Sequence, residues 1–174
     1  KDERYLEAQL KSILPELEMK TLPNEKVYLY SNYGFVLASY VAQSVTNTTY
    51  SRLATERILL PVGMTRSIYD LNVYSTYPVA LPHVKDENGE IKVKHIITSD
   101  ATRFGSGELF SNVLDLSKLI RLFLNKGVAD SGERILKKES IEEMLTPMIK
   151  RDGEDHHGLA VHIRKFGDKH IYGH

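Results

Sequence analysis

Val27-Tyr28-Leu29-Tyr30-Ser31-Asn32-Tyr33-Gly34-Phe35 places a phenol, a hydroxyl and a carboxamide side by side, directly ahead of a long apolar pattern. Ser31 or Asn32 is suited to cap a helix, because either side chain accepts a hydrogen bond from a first-turn amide. Tyr30 would then sit at the lip of that helix with its hydroxyl free to face a cavity. Taken alone, these residues favour the simpler alternative, a tyrosine packed beside an ordinary cap. The apolar residues that follow at roughly helical spacing are Phe35, Val36, Val41, Ala42 and Val45.

The overall composition excludes several classes of function. The chain has 174 residues, 41% hydrophobic and 26% charged, a balance typical of one folded domain or a piece of a larger one. Its 23 basic and 23 acidic residues cancel, which argues against nucleic acid or an anionic membrane as the partner. Cysteine is absent, which excludes disulfides, cysteine nucleophiles and cysteine-bound metals. We expect no membrane span and no N-terminal signal segment, and the charged start Lys1–Arg4 suits a chain cut from a longer one.

Apolar periodicity predicts five helices, each bounded by a capping residue, a proline or a glycine. Asn47 and Gly127 are suited to end two of them in the left-handed conformation. The predicted helices run from about Asp2 to Leu14, from Asn32 to about Thr46–Asn47, from Thr48 or Thr49 to Pro61–Met64, from Ser111 or Asn112 to Asn125–Gly127, and from Ser140 to Leu145.

A long irregular stretch, residues 69–98, separates two of these helices. Its lack of periodicity predicts an excursion over the surface, and such long loops are often functional. Asp86-Glu87-Asn88-Gly89-Glu90 has the composition of a hairpin turn between short strands. Tyr69, Tyr74 and Tyr77 either line a substrate cleft or cover a helix face, and the sequence leaves both alternatives open.

The chain changes character near its end. Residues 150–157 predict a polar loop. Leu159, Val161 and Ile163 then alternate with other residues, which predicts a strand, and residues 170–172 begin a second strand after a turn. Because an antiparallel pair is marginal by itself, we expect further strands or a packed helix to complete it.

Several short motifs occur in a defined order. They are Pro23 followed by Tyr30-Ser31-Asn32, then Tyr50, Pro61-Val62-Gly63-Met64, Gly105-Ser106-Gly107 ahead of Ser111–Leu116, Gly158-Leu159, and Tyr172-Gly173-His174. In this order and at these spacings the chain resembles the serine hydrolases of the class C β-lactamase family, which includes penicillin-binding-protein-like peptidases and esterases. The resemblance spans about Leu22 to His174.

The resemblance implies an α+β fold, as a fragment of the β-lactamase/transpeptidase-like fold. The chain would hold mostly the helical lobe plus the start of an antiparallel sheet. Residues 1–174 would form part of one serine β-lactamase-like domain, with 1–155 mainly helical lobe and loops and 156–174 the first hairpin of the sheet. An exported, periplasmic or membrane-associated protein is also implied, while the sequence leaves the compartment and the oligomeric state open.

The resemblance further implies acyl-transfer chemistry, in which a serine from a Ser-x-x-Lys helix attacks a carbonyl and forms an acyl-enzyme. Tyr30 would be the general base or proton relay, and Asn32 would orient the lysine and the substrate. His174 would stand where the lactamases carry the lysine of Lys-Thr-Gly. Ser31 and Gly105-Ser106-Gly107 would contact the substrate, an ester, a β-lactam or a D-amino-acid peptide such as a peptidoglycan-like acyl compound. No cofactor or metal is implied.

The chain also departs from the family pattern. No Ser-x-x-Lys occurs in the 174 residues, so the chain lacks the nucleophile and the catalytic lysine. We therefore expect the isolated chain to be inactive and assign the hydrolase function to the full-length protein. Asn47 stands where a glycine often ends the helix, and the tryptophan common after Gly158-Leu159 is absent. Two alternatives remain, a non-catalytic family member that uses the scaffold for binding and a helical interaction module.

Other polar residues have simpler interpretations. Asp152-Gly153-Glu154-Asp155-His156-His157 contains metal-ligand types, but no second cluster accompanies it, so a solvated loop is predicted. Asp115 near a helix start is interpreted as a favourable charge against the helix dipole. The histidines interpreted as surface or strand residues rather than catalysts are His83, His95, His162 and His170.

Overall fold

Helices and antiparallel strands are both present in residues 5–22, 25–94 and 103–174, the parts of the chain that the structure, a computed structural model, describes. The strands form one hairpin and one four-stranded sheet, and the predicted α+β fold class is confirmed. Pro23, His95 and the predicted start of the first helix lie outside the described residues. None of the helices in these parts is both long and apolar enough to cross a bilayer.

The five predicted helices are all found, with ends within a few residues of the predicted ones. A 3-10 turn at Leu14–Glu16 continues the first helix through Pro15, and a π-helical segment at Thr55–Leu59 joins α3 to α4. The short helix α5 was not predicted. The helices are α1 (Tyr5–Ile13), α2 (Asn32–Thr46), α3 (Tyr50–Ala54), α4 (Leu60–Val62), α5 (Leu71–Tyr74), α6 (Val113–Leu124) and α7 (Lys138–Met144).

Helix α2 begins and ends where local signals predict. Ser31 is the N-cap, and its Oγ accepts a hydrogen bond of 3.1 Å from the Gly34 amide. Asn47 ends the helix in the left-handed conformation, with φ of 49°. Val36 is buried against Leu10 of α1, which holds the first half of α2 in place. These contacts fix the helix end that carries the candidate site.

The larger core lies between the α3–α4 helix and α6. Five buried residues form it: Leu59, Val62, Met64, Leu122 and Ala129. Fully burying a large apolar side chain contributes roughly 1.5–3 kcal/mol. This cluster is therefore the main apolar support of the helical part.

Asp115 ties α6 to the segment after α4. Its carboxylate is buried and accepts hydrogen bonds from the Arg66 amide at 2.8 Å and the Ser67 hydroxyl at 2.9 Å. The Lys118 ammonium lies 3.3 Å from the other carboxylate oxygen. Asn112 caps the helix, since its side chain accepts from the amides of Leu114 and Asp115. Asp115 therefore makes specific tertiary bonds in addition to its predicted interaction with the helix dipole.

The hairpin predicted around Asp86 is confirmed. Strands β1 (His83–Lys85) and β2 (Ile91–Val93) pair antiparallel. In the turn, the Asp86 carboxylate accepts from the amides of Asn88 and Glu90, and the Gly89 amide donates to the Asp86 carbonyl. The side chains of both strands are exposed, so the hairpin lies on the surface.

The C-terminal sheet begins earlier than predicted. Its strands, in the order β3-β4-β5-β6, are β3 (Ile149–Lys150), β4 (His156–His157), β5 (His162–Phe166) and β6 (Lys169–Gly173), and all neighbours are antiparallel. The polar loop predicted at residues 150–157 is confirmed for residues 151–155, but the ends of that stretch pair with each other as strands β3 and β4. The pairing of β5 with β6 through a turn at Gly167 is as predicted.

The predicted strand at residues 159–163 is wrong in its first half. Residues 158–161 form a turn, in which the Gly158 amide donates to the Val161 carbonyl at 2.8 Å and Ala160 has φ of 63°. The Leu159 amide donates to the Met144 carbonyl at the end of α7. An added Cβ on Gly158 would lie 2.3 Å from that same carbonyl oxygen. Close packing on α7 therefore replaces the strand that the alternating pattern favoured.

Candidate active site

Tyr30, Ser31 and Asn32 occupy the N-terminus of α2. Ser31 is extended (φ −143°, ψ 109°) and caps the helix, and Asn32 is the first helical residue. Tyr30 directly precedes the cap, and the residue is 58% exposed to solvent. Tyr30 is therefore exposed at the N-terminal end of the helix, and the interpretation of Ser31 as the cap is confirmed.

His174 lies beside Tyr30. The centroids of the phenol and imidazole rings are 6.1 Å apart, and the ring planes are inclined by 37°. Tyr30 comes from the start of α2, whereas His174 directly follows strand β6. The fold therefore brings together two of the predicted site residues from distant parts of the chain, and Asn32 lies on the same helix end.

Tyr28 anchors the segment before α2 to the sheet. Its ring centroid lies 5.0 Å from that of His157 on β4, and its hydroxyl is 3.4 Å from Nε2 of His162 on β5. The Arg151 guanidinium sits over the same phenol at 5.2 Å from the centroid, a cation–π geometry. Tyr28 and Tyr30 are two residues apart, and their rings contact the imidazoles of His157 and His174, respectively.

Three imidazoles form a row that ends at Tyr30. His157 and His162 are direct partners in the β4–β5 register, and their ring centroids are 4.7 Å apart. His162 in turn lies 5.3 Å from His174. His162 does lie on a strand, as predicted, but its ring is half-buried within this row. Neither Tyr28 nor the row was predicted, and the signal that would have found them is the β4–β5 register.

The surroundings of His162 disfavour a positive charge on its ring. Burial lowers the pKa of the His162 imidazole, and the positive charge of Arg151 lowers it further, with smaller effects of His157, His174 and Arg164. Nη1 of Arg151 lies 2.9 Å from Nδ1 of His162. The ring is thus held between a cation on one side and a phenol on the other.

The glycine-rich stretch packs against α2. An added Cβ on Gly105 would lie 2.5 Å from both the Phe35 carbonyl oxygen and the Ser39 Oγ. The Ser106 hydroxyl donates a hydrogen bond to the Arg103 carbonyl three residues earlier. A Cβ added to Gly107 would meet no atom within 4 Å. Gly105 therefore has a packing role near the first turns of α2, and the predicted contact of the stretch with substrate stays a prediction.

Two carboxylates of the acidic loop before β4 form ion pairs with strand β5. Asp155 pairs with Arg164 at 3.5 Å, and Glu154 pairs with Lys165 at 3.0 Å. His156 Nδ1 contacts the Glu154 carbonyl. Across the described residues, no group of three or more histidine, aspartate or glutamate side chains is arranged to hold a metal ion.

The tyrosines of the irregular stretch pack against neighbours within the chain. Tyr69 contacts the larger core, and its ring lies 5.1 Å from that of Phe104. Tyr74 stacks on Phe110 with centroids 3.8 Å apart, and Arg66 lies over the Tyr77 ring. These contacts show that each of the three rings packs against a neighbour within the chain, and the choice between a substrate cleft and a covered helix face stays open.

A family model described as Beta-lactamase matches residues 2–174, nearly the whole chain. The chain belongs to the beta-lactamase family. The helical part and the antiparallel sheet are thus parts of the β-lactamase/transpeptidase-like fold, as the motif order predicts. Comparison with curated protein sequences gives no significant match.

Solved structures of the same fold include hydrolases of several kinds. An octameric penicillin-binding protein homologue from Pyrococcus abyssi is 27% identical, with a TM-score of 0.79 over 97% of this chain and 37% of that chain. A D-stereospecific amidohydrolase from Streptomyces sp. is 22% identical, with a TM-score of 0.73 over 95% and 48%. A mutant class C β-lactamase is 15% identical, with a TM-score of 0.69 over 93% and 43%. The family member described here therefore spans less than half the length of each of these structures.

Proposed function

We propose that the full-length protein is a serine acyl hydrolase that works through an acyl-enzyme. The proposal rests on the position of the Tyr30 ring, just ahead of α2, beside the ring of His174, with 6.1 Å between the two ring centroids. A serine hydroxyl is a weak nucleophile until a base removes its proton. Tyr30, exposed at the helix lip, is the base or proton relay in this scheme.

The other site residues support Tyr30 in this proposal. A phenol in water ionises at a pH of about 10, so a tyrosine that acts as a base needs a nearby cation. In the proposal, His174 is the cationic or hydrogen-bonding group that assists the tyrosine and holds an anionic substrate end. Asn32 orients the catalytic lysine and the substrate carbonyl, and Ser31 with Gly105-Ser106-Gly107 borders the substrate. The serine and the lysine come from a Ser-x-x-Lys segment that precedes Lys1.

The substrate class in the proposal is an ester, a β-lactam or a D-amino-acid peptide or amide, including peptidoglycan-like acyl compounds. The amidohydrolase and β-lactamase among the structures of this fold support it. Residues 1–174 are proposed as part of one serine β-lactamase-like domain. Within it, the helical lobe leads into a sheet whose first strand is β3 at Ile149–Lys150.

Tyr30→Phe tests the proposal in the full-length protein. General base catalysis contributes about 10²- to 10⁴-fold, so we expect kcat/KM for a chromogenic ester to fall by that order. The matched control is Tyr33→Phe, which removes the same hydroxyl from a neighbouring tyrosine that is also exposed. Unchanged acylation by the Tyr30 variant would remove the role assigned to this residue.

A second candidate function is that of a non-catalytic member that uses the scaffold for binding. The 174 residues, which hold no Ser-x-x-Lys, leave this alternative open. The sequence preceding Lys1 in the full-length protein distinguishes the two candidates. Absence of Ser-x-x-Lys there would rule out the hydrolase and favour the binding protein.

A further inference from the structure

The contacts of His162 determine where its ring proton lies. An arginine guanidinium only donates hydrogen bonds, so the 2.9 Å contact with Arg151 makes Nδ1 of His162 an acceptor without a proton. In the neutral ring the proton is then on Nε2, which points at the Tyr28 hydroxyl at 3.4 Å. A doubly protonated ring would place an N–H and a positive charge against the Arg151 guanidinium. Arg151 therefore favours one neutral tautomer, and the Tyr28 hydroxyl can accept the hydrogen bond from Nε2 that this tautomer offers.

The charged groups around His162 support the same state. Arg151 follows β3, His157 lies on β4, Arg164 on β5, and His174 follows β6. The nearby carboxylates are engaged elsewhere, since Asp155 pairs with Arg164 and Glu154 with Lys165. The carboxylate of Asp152, beside Arg151, is exposed and 3.9 Å from the guanidinium. Within residues 5–22, 25–94 and 103–174, the ionisable groups that contact the His162 ring are thus either cationic or neutral.

We propose that Arg151 and His162 are positioning residues that keep the ring next to His174 neutral, with its proton on Nε2. His162 then presents a fixed, uncharged face to His174, whose ring centroid is 5.3 Å away and which lies beside Tyr30. Neither residue touches the substrate in this scheme. The catalytic consequence rests on the proposed function, whereas the tautomer does not.

Nitrogen NMR of the full-length protein tests the tautomer directly. Long-range proton–nitrogen spectra distinguish a ring protonated on Nε2 from one protonated on Nδ1, and His162→Gln assigns the signals. We expect wild-type His162 to be neutral at neutral pH with an unprotonated Nδ1, and to titrate below the ordinary histidine value of about 6.5. A wild-type ring that is charged, or that carries its proton on Nδ1, would overturn the proposal whatever the variants do.

Arg151→Met removes both the donor and the charge. We expect the His162 ring to lose its single tautomer and its pKa to rise, because one of the charges that lower it is removed. Arg164→Met is the matched control, because that guanidinium is nearby but makes no hydrogen bond to His162 in the structure, and the tautomer should persist. Arg151→Lys keeps a charged donor at this position, so the His162 tautomer should persist in this variant as well. An unchanged tautomer in a folded Arg151→Met protein would also overturn the proposal.

The pH profile of ester hydrolysis separates this inference from the proposed function. In Arg151→Met the acid limb of kcat/KM should move to higher pH, since His162 accepts a proton at higher pH once the Arg151 charge is removed. Arg164→Met should leave that limb nearly in place. A changed tautomer with an unmoved limb would refute the influence on catalysis. A wild-type protein with the expected tautomer but no hydrolysis would instead refute the proposed function.

Discussion

Replacing Asp115 by alanine should destabilise the fold much more than replacing it by asparagine. The carboxylate is only 3% exposed, and its two oxygens have different partners. Oδ2 accepts from both the Arg66 amide and the Ser67 hydroxyl, whereas Oδ1 faces the Lys118 ammonium. The two substitutions therefore remove different subsets of these bonds.

The magnitudes follow from these partners. Asp115→Ala removes the acceptor of both the half-buried Arg66 amide and the buried Ser67 hydroxyl, and each donor left unsatisfied costs about 1–3 kcal/mol. In Asp115→Asn the amide oxygen can occupy the Oδ2 position, so the contact with Lys118 is the main loss. Lys118 is partly exposed and also donates to the Gly63 carbonyl, which reduces the cost to about 1–2 kcal/mol.

The contribution of the Asp115 carboxylate to the free energy of unfolding should fall as the pH is lowered. Burial raises the pKa of the Asp115 carboxyl, but the hydrogen bonds from Arg66, Ser67 and Lys118 outweigh it and lower the pKa overall. The folded-state value then lies below the unfolded value of about 3.9. The ionised carboxylate therefore stabilises the fold above that pH, and this contribution is lost as the pH falls through the folded-state pKa. The difference between wild type and Asp115→Asn should shrink in acid.

Urea unfolding of the full-length proteins, followed by far-UV circular dichroism at neutral and acidic pH, measures these differences. Asp130→Asn is the matched control, since Asp130 pairs with Arg121 on the surface and such pairs contribute little. Its unfolding midpoint should stay near that of wild type. Equal midpoints for Asp115→Ala and Asp115→Asn, or a wild-type advantage that persists in acid, would refute the assigned hydrogen bonds.

Two further predictions concern the elements that hold the candidate site. Gly105→Ala should destabilise the protein by about 1–3 kcal/mol, because the new Cβ would lie 2.5 Å from the Phe35 carbonyl, whereas Gly107→Ala meets nothing within 4 Å and should be tolerated. Ser31→Ala should cost about 1 kcal/mol through loss of the helix cap, while Thr49→Ala should cost less, since the Thr49 side chain makes no capping bond. Both pairs are compared by urea unfolding, and equal effects within a pair would contradict the structure.

The parts of the fold that the sequence predicts well are those set by local interactions. Helix α2 begins at its cap Ser31 and ends at Asn47 because both signals act within one helical turn. The turn at Asp86 likewise satisfies its amides with its own side chain. Asp115 shows the limit of this approach, since its donors Arg66 and Ser67 come from a segment that only the tertiary fold brings near.

The wrong prediction of a strand at the start of residues 159–163 also comes from a contact that only the tertiary fold provides. Alternation at Leu159 and Val161 favours a strand, but the close approach of Gly158 to the Met144 carbonyl turns the chain there. The short strands β3 and β4 carry few apolar residues, so their partners rather than their own composition define them. Placing the turn at residues 158–161 would have paired His157 with His162 and predicted the imidazole row.

The candidate site combines these two kinds of determinant. Tyr30 is placed by a local cap, whereas His174 is placed by the register of β5 with β6, in which His162 pairs with Gly173. Tyr28 links the two, because its contacts with His157 and His162 hold the segment before α2 against the sheet. A change in the sheet register would therefore move His174 without moving Tyr30. The separation of these two rings thus reports on the packing of the helical part against the sheet, and Tyr28 is the residue through which that packing reaches the site.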